Sequence, residues 1–361
     1  MSSLPTPREN LLALWRRQGI HHAPVCFSLC PDQLNTFRQH YGADANPADV
    51  FGFPFRYLGS SFLKPSSQNW QRFFPGQRFD PRTHFNLWGV GHEPADGSRH
   101  ITRMHHPMAN FTTLEQFTAY PYPTVDLSQL DKARAEIAAL HARGLAAAAG
   151  MACTVWEIAW YMRGMEDLMV DLLTDNPCAV WHLDHLTDIA CQRAQAYAQA
   201  GVDLLCIGDD IGMQKTTMMS MDNYRQWLKP RHAAVINAAK AAKPDILVTY
   251  HSCGFIEPFI PELIEIGVDV LNPVQPECMD FAKIHAQYGT HLSFWGTLGT
   301  QTTMPFGSAA EVRSTTLRNL AIAGSKGGLF CSPTHIIEPE VPWDNIEAYV
   351  QAARDFQTAG N

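Results

Sequence analysis

From about residue 127 onward, apolar positions along the chain alternate between two rhythms. Short, nearly continuous apolar runs at 202–207, 245–250, 268–271, 291–295 and 327–330 read as buried strands. Between and around them, stretches with helical spacing cover 127–143, 156–164, 175–200, 221–242, 257–266, 280–288, 308–323 and 343–356. Ser220 stands as the cap of the fourth of these. Short apolar strands joined by helices predict a parallel sheet covered on both faces. An open dinucleotide-binding sheet would give the same alternation, yet no G-x-G-x-x-G follows a strand and there is no P-loop. The run of consecutive strand–helix units therefore predicts an α/β protein with a (β/α)8 TIM barrel.

The N-terminal third is less regular. Thr6-Pro7-Arg8-Glu9 forms a capping-box signature, followed by Leu11, Leu12, Leu14 and Trp15, so a helix is expected there. Residues 23–27 read as a short buried strand. Residues 44–125 are rich in aromatics, among them Phe51, Phe53, Phe55, Trp70, Phe73, Phe74 and Trp88. Turn signals interrupt them at Lys64-Pro65-Ser66-Ser67 and Ala95-Asp96-Gly97-Ser98, and the second predicts a hairpin between 86–90 and 100–104. We read this region as an extension over one end of the barrel, with ordinary loop and edge structure as the alternative. The expected organisation is a single domain over 1–361. Residues 1–125 hold the extension and first strand, and 126–361 the regular βα units.

Composition narrows the function. Hydrophobic residues make up 46% of 361, and charged residues 17%, below the usual ~25%, which implies a large buried volume. The net charge is −8 with no basic stripe, which argues against nucleic-acid partners. No apolar run reaches the ~18–20 residues of a membrane span. The start lacks a basic end followed by an apolar stretch, so a cytoplasmic protein is expected. Nine cysteines, an odd number scattered over a long chain, do not suggest a disulfide framework. Cys178, Cys191 and Cys206 fall inside helices or a strand, and Cys26, Cys30, Cys153 and Cys278 have no histidine at ligand spacing; all read as packing residues.

The chemistry gathers at the strand ends, where a barrel builds its site. The five strands run into Gly208-Asp209-Asp210, His251-Ser252-Cys253-Gly254, Asn272-Pro273-Val274-Gln275, Gly296-Thr297 and Cys331-Ser332-Pro333-Thr334-His335. His251 and Cys253, two apart in an extended segment, point the same way with Cα atoms roughly 6.5 Å apart. Both can reach one tetrahedral ion at metal–ligand bonds of about 2.0–2.3 Å. Cys331, at another strand end, can reach the same point. Three ligands and an open position are the pattern of catalytic zinc. Spacing alone leaves the plainer readings standing: a cysteine that packs and a histidine that makes an ordinary hydrogen bond.

Taken together, Ile207-Gly208-Asp209-Asp210-Ile211-Gly212-Met213-Gln214, Tyr250-His251-Ser252-Cys253-Gly254, Val270-Leu271-Asn272-Pro273-Val274-Gln275-Pro276 and Phe294-Trp295-Gly296 resemble the uroporphyrinogen decarboxylase superfamily. The likeness is good over about 150–356 and weak before it. The decarboxylases themselves are metal-free and hold substrate carboxylates with arginines near the N-terminus. The matching segment here, Val25-Cys26-Phe27-Ser28-Leu29-Cys30-Pro31, has no arginine. The resemblance therefore implies the other branch, the cobamide-dependent methyltransferases similar to the methylcobamide:coenzyme M enzymes. It implies Zn²⁺ on His251, Cys253 and Cys331, and a cobalamin (corrinoid) supplied by a separate corrinoid-binding protein, since no Asp-x-His-x-x-Gly segment is present. The expected partners are that protein and a small-molecule methyl donor or thiol acceptor, including methoxylated or methylated compounds.

Around the metal set we assign Asp210, Glu157, Gln275 and His335 as candidate catalytic groups, with Glu157 or Asp210 as candidate fourth ligand and His335 as proton carrier or loop donor. Asp209, Gln214, Asn272 and Trp295 are candidate cofactor-binding groups; for Asp209 a cap or loop role is the alternative. Trp156, Trp160 and Tyr161 are pocket or core aromatics. Two competing functions remain: a metal-free decarboxylase, and a non-catalytic corrinoid- or tetrapyrrole-binding protein.

Overall fold

The computed structural model describes residues 4–66, 69–94 and 102–356. Among these, the strands are β1 (Phe55–Tyr57), β2 (Leu63–Lys64), β3 (His84–Phe85), β4 (Gly91–Pro94), β5 (Thr102–His105), β6 (Thr124–Val125), β7 (Ala146–Ala152), β8 (Leu204–Gly208), β9 (Leu247–His251), β10 (Val270–Asn272), β11 (Ser293–Trp295) and β12 (Leu329–Phe330). β1 and β7 to β12 form one seven-stranded sheet, parallel throughout and in sequence order.

Side chains alternate across this sheet as the strand period requires. Phe55, Ala146, Ala148, Leu204, Leu247, Val270 and Phe330 share one cluster with Trp15. Their neighbours Ala147, Ala149, Leu205, Val248, Leu271 and Leu329 belong to the other. The sheet curls around the first cluster. Phe55, on the first strand, meets Trp295 at 5.5 Å and Phe330, on the last, at 6.5 Å between ring centroids. Both faces are thus buried, as a parallel sheet with helical crossovers demands. Helix Pro7–Trp15, opened by the expected capping box on Thr6 and Glu9, inserts Leu11, Leu14 and Trp15 into the inner cluster. Leu204, Leu247 and Val270 begin their strands, so this helix stops the end where strands start. The polar strand ends lie at the other end.

Several expectations need correction. Residues 23–27 form no ladder. Pro24 has no N–H to donate, and the N–H and carbonyl of Cys26 are both bonded to the Tyr349 hydroxyl, at 3.3 and 3.4 Å. Nearby, Leu29 makes a single parallel bridge to Ile337. Seven strands therefore ladder where eight were expected. The aromatic stretch is not one extension, because Phe55–Tyr57 is a strand of the main sheet. The rest pairs β2 with β6 and builds a small antiparallel sheet β3-β4-β5. It packs on helix Trp156–Arg163, where Arg163 donates to the carbonyls of Met108, Ala109 and Phe111. The hairpin exists, but its arms are Gly91–Pro94 and Thr102–His105; the expected turn at 95–98 lies outside the described residues. The helix expected over 221–242 is broken by a π-helical turn, Tyr224–Leu228, just ahead of Pro230, which cannot continue the regular hydrogen-bond ladder. Among the described residues no helix is long and apolar enough to cross a membrane.

Candidate functional site

His251 is the last residue of β9 and follows outward-facing Tyr250, so it stands on the inner side of the curl. Close packing at this point depends on glycine. A Cβ on Gly208 would lie 2.3 Å from the His251 carbonyl oxygen, and one on Gly254, at φ +85°, would lie 2.7 Å from the carbonyl carbon of Gly212. The loops after β8 and β9 can touch only because these side chains are missing. Ser252 ties the same loops together, its hydroxyl accepting from Ile211 N at 3.0 Å.

Asp210, His251 and Cys253 bring a carboxylate oxygen, a ring nitrogen and a thiol within 4.8 Å of one another. Cys253 Sγ lies 3.5 Å from His251 Nε2. A tetrahedral ion with 2.0–2.1 Å to nitrogen and 2.3 Å to sulfur sets its two ligands about 3.5 Å apart, so this pair fits zinc as it stands. Asp210 Oδ1 lies 3.9 Å from His251 Nε2, longer than the roughly 3.4 Å expected for an oxygen and a nitrogen on one ion. That oxygen also accepts the Cys253 N–H at 2.7 Å.

A hydrogen-bonded pair fixes the orientation of the histidine ring. Asn272 Nδ2 donates to the Trp295 carbonyl at 2.8 Å, which turns its Oδ1 toward His251 Nδ1 at 2.6 Å. The proton is thereby assigned to Nδ1, and Nε2 presents its lone pair toward Cys253. Burial, then the charges of Asp210 and Glu157, push the Cys253 thiol up to about 12. Burial, then Asp209 and Asp210, push the Glu157 carboxyl up to about 8. Groups that crowd negative charge in this way are relieved by a cation, which reverses the local preference for protonated thiol.

Other expected site residues divide into those at the centre and those behind it. Glu157 is linked to the cluster, Oε2 accepting Asp210 N at 3.1 Å and Oε1 accepting Tyr161 OH at 2.8 Å. Asp209 is fully buried and does not face the cleft. Its oxygens accept Val155 N at 3.0 Å and Glu157 N at 2.9 Å, at the start of helix Trp156–Arg163, and lie 2.8 Å from His232 Nε2. It thus holds the first N–H groups of that helix, the cap role expected as the alternative for it. Asn272 positions His251 through its side-chain oxygen. Gln275 Oε1 accepts Gly254 N at 2.9 Å, so it shapes the loop that carries Cys253. Trp295 stacks on Phe330 at 5.9 Å and packs with Trp15, inside the core. Gln214 is exposed, 3.5 Å from the Cys278 thiol.

Cys331 does not join the group of mutually close ligand atoms. It follows inward-facing Phe330, falls in the outer cluster with Leu329, and is 1% exposed. Its Sγ lies 3.5 Å from Thr297 Oγ1, and burial pushes the thiol up to about 12.

A cleft of about 480 Å³ opens beside Cys253, with Gln214, Gln275, Thr300, Gln301 and His335 also among its walls. Glu338 and Glu340 also line it, and among the described residues no arginine or lysine does. His335 is solvent-exposed; the protein packed around it, then the charge of His251, lower its pKa. Sequence reading had no signal for His232, Tyr161 as the partner of Glu157, or Thr300, because each meets the site through the fold and not through a motif.

Residues 98–356 match the uroporphyrinogen decarboxylase (URO-D) family. Among solved structures, a methyltransferase from Methanosarcina mazei superposes with a TM-score of 0.67 at 18% identity, covering 97% of this chain and 98% of that one. A B12-independent methionine synthase from Shewanella sp. W3-18-1, in complex with selenomethionine, gives 0.41 at 12% identity over 64% and 68% of the two chains. A psychrophilic glycoside hydrolase family 10 endo-β-1,4-xylanase gives 0.39 at 10% over 64% and 82%. No curated protein matches the chain. The first likeness shows a shared fold over nearly the whole of both chains, and the family match spans well over half of this one. The chain belongs to the uroporphyrinogen decarboxylase family.

Proposed function

We propose that the protein is a zinc-dependent methyltransferase that works with a corrinoid protein. It moves a methyl group between a cobalamin and a thiol, or a methoxylated or methylated small molecule, in the cytoplasm. The observation that carries this reading is the His251–Cys253 pair at zinc-ligand separation, with the Nδ1 proton of His251 held by Asn272. The fold shared with a protein described as a methyltransferase supports it.

His251 Nε2, Cys253 Sγ and the Asp210 carboxylate would hold the ion. When bound, zinc supplies Lewis acidity that keeps a substrate sulfur or oxygen anionic at neutral pH. This chain's own residues do the rest. Asn272 fixes the tautomer and ring plane of His251. Asp210 and Gln275 hold the backbone of the 253–254 loop through Cys253 N and Gly254 N. Gln214, Thr300 and Gln301 offer neutral hydrogen-bonding groups to a small polar substrate in the cleft. Two glutamates and, among the described residues, no lysine or arginine in the lining disfavour a substrate bearing several carboxylates, which is the requirement of the metal-free decarboxylase.

The test is methyl transfer from methylcobalamin to small thiols, followed by loss of the methylcobalamin absorbance. Wild-type protein should catalyse it and Cys253→Ala should not. Equal rates in the two would contradict the assignment.

A further inference from the structure

His251 and Cys253 serve two spaces. Cys253 lines the cleft described above, whereas His251 stands on the inner face of the curled sheet. Alternation along each strand fixes which residues share that face. Phe55, Ala148 and Leu204 belong to the inner cluster, so Tyr57, Gly150, Ala152 and Cys206 point into the bore as well. Register sets their height. Ala152, Gly208 and His251 lie side by side on three neighbouring strands, and Gly150, Cys206 and Thr249 form the layer beneath them.

The inside of such a sheet is ordinarily filled by layers of branched side chains. Here the filling stops short. Gly150 and Ala152 are exposed although they sit within the curl. Tyr57 is 51% exposed on the same face. Its hydroxyl lies 3.8 Å from Cys206 Sγ, in the layer beneath His251, and its ring carbons lie 3.6 Å from where a Cβ on Gly150 would stand. Phe55 packs edge-on against the ring from below, with centroids 5.5 Å apart. The exposed side of Tyr57 is therefore the one turned to the mouth. Tyr57, Gly150, Cys206 and Thr249 offer this layer no carboxylate, ammonium or guanidinium, so a charged group placed there would lose its water without gaining a partner.

We propose that this unfilled layer receives the non-reacting end of the small molecule, that Tyr57 is its floor and sets specificity, and that the end it takes is a flat, uncharged ring. A phenyl group attached beside the reacting sulfur or oxygen is the simplest case. The identity of the reacting atom rests on the methyltransferase reading above; the binding of the ring does not. The ring stacks on Tyr57 alongside Gly150 and Ala152, the sulfur or oxygen stands at the height of His251, and polar substituents face the cleft beside Cys253.

Calorimetry on the full chain with two probes, phenylmethanethiol and 2-mercaptoethanol, tests this. Wild type should bind phenylmethanethiol at least about tenfold more tightly, from the apolar area buried. Ala152→Leu, which fills exposed space and displaces no core side chain, should erase that preference. Tyr57→Leu should weaken phenylmethanethiol by about three- to tenfold, the size of an aromatic pair, and Tyr57→Phe should restore it. Equal wild-type affinity for the two thiols, or phenylmethanethiol affinity unchanged in Ala152→Leu or in Tyr57→Leu, would overturn the inference. Methyl transfer from methylcobalamin, followed on the same samples, separates the two readings. Ring binding without transfer would overturn the methyltransferase reading alone, and transfer with no preference for the ring would overturn this inference alone.

Discussion

At the scale of single residues, the site is decided by which atom of each side chain is free. His251 can ligate because Asn272 consumes its other nitrogen, and Asn272 can do so because its amide is oriented by the Trp295 carbonyl. We expect Asn272→Leu to weaken zinc binding by about 10–100-fold, as loss of such orienting partners typically does, and Asn272→Asp to retain most of it. Competition against a chromophoric chelator measures this; equal affinity in Asn272→Leu would show that the ring is held by other means. His251, Cys253 and Asp210 were legible in sequence because they lie at the ends of recognisable apolar runs. Cys331 ends another such run and is expected as a ligand from spacing and resemblance; in the structure its thiol is buried, 3.5 Å from Thr297 Oγ1 and outside the group of mutually close ligand atoms, a placement that run and spacing do not specify. For Asp209 the sequence leaves cofactor contact and cap both open, because a strand-end carboxylate reads the same whether it faces the cleft or caps the next helix; the structure places it fully buried at the start of helix Trp156–Arg163. Removing Asp209 would leave His232 buried and unpaired, an arrangement that typically costs several kcal/mol.

At the scale of elements, the sequence rhythm located nearly every helix and strand of the C-terminal part, with strands beginning a residue or two later than the apolar runs. Proline produced the departures, at Pro24 and Pro230, where a missing N–H outweighs an otherwise favourable pattern. The elements are also tied by charge. Asp203, just before β8, accepts Arg8 Nη2 at 2.7 Å from the first helix, lies 2.8 Å from His141 Nε2 of helix Leu130–Ala142, and accepts Ala147 N at 2.9 Å from β7. Burial alone would raise its pKa. The hydrogen bonds from Arg8, Ala147 and His141 outweigh that and leave it lowered. A carboxylate whose pKa is lower in the folded state stabilises the fold above its unfolded value, near 3.9, and that contribution is lost as pH falls through the folded value. The stability gap between wild type and Asp203→Asn in urea should therefore be wide at pH 7 and 5 and shrink below about pH 4. A gap independent of pH would mean that Asp203 acts by packing alone.

At the scale of the whole molecule, the curl of the parallel sheet gathers residues far apart in sequence into one cleft, with the inner cluster and the first helix closing the opposite end. The class of fold was legible, because alternating strands and helices admit few arrangements. How far the first strand pairs, and where the aromatic region packs, were not, since both depend on contacts between segments that carry no local signal. The central claim is that this cleft holds a metal. The most direct measurement is the zinc content of the purified protein by elemental analysis, wild type beside Cys253→Ala. We predict about one zinc per chain in wild type, and its loss in a variant that remains folded. Folded wild-type protein that contains no zinc and takes up none when it is added would contradict the account.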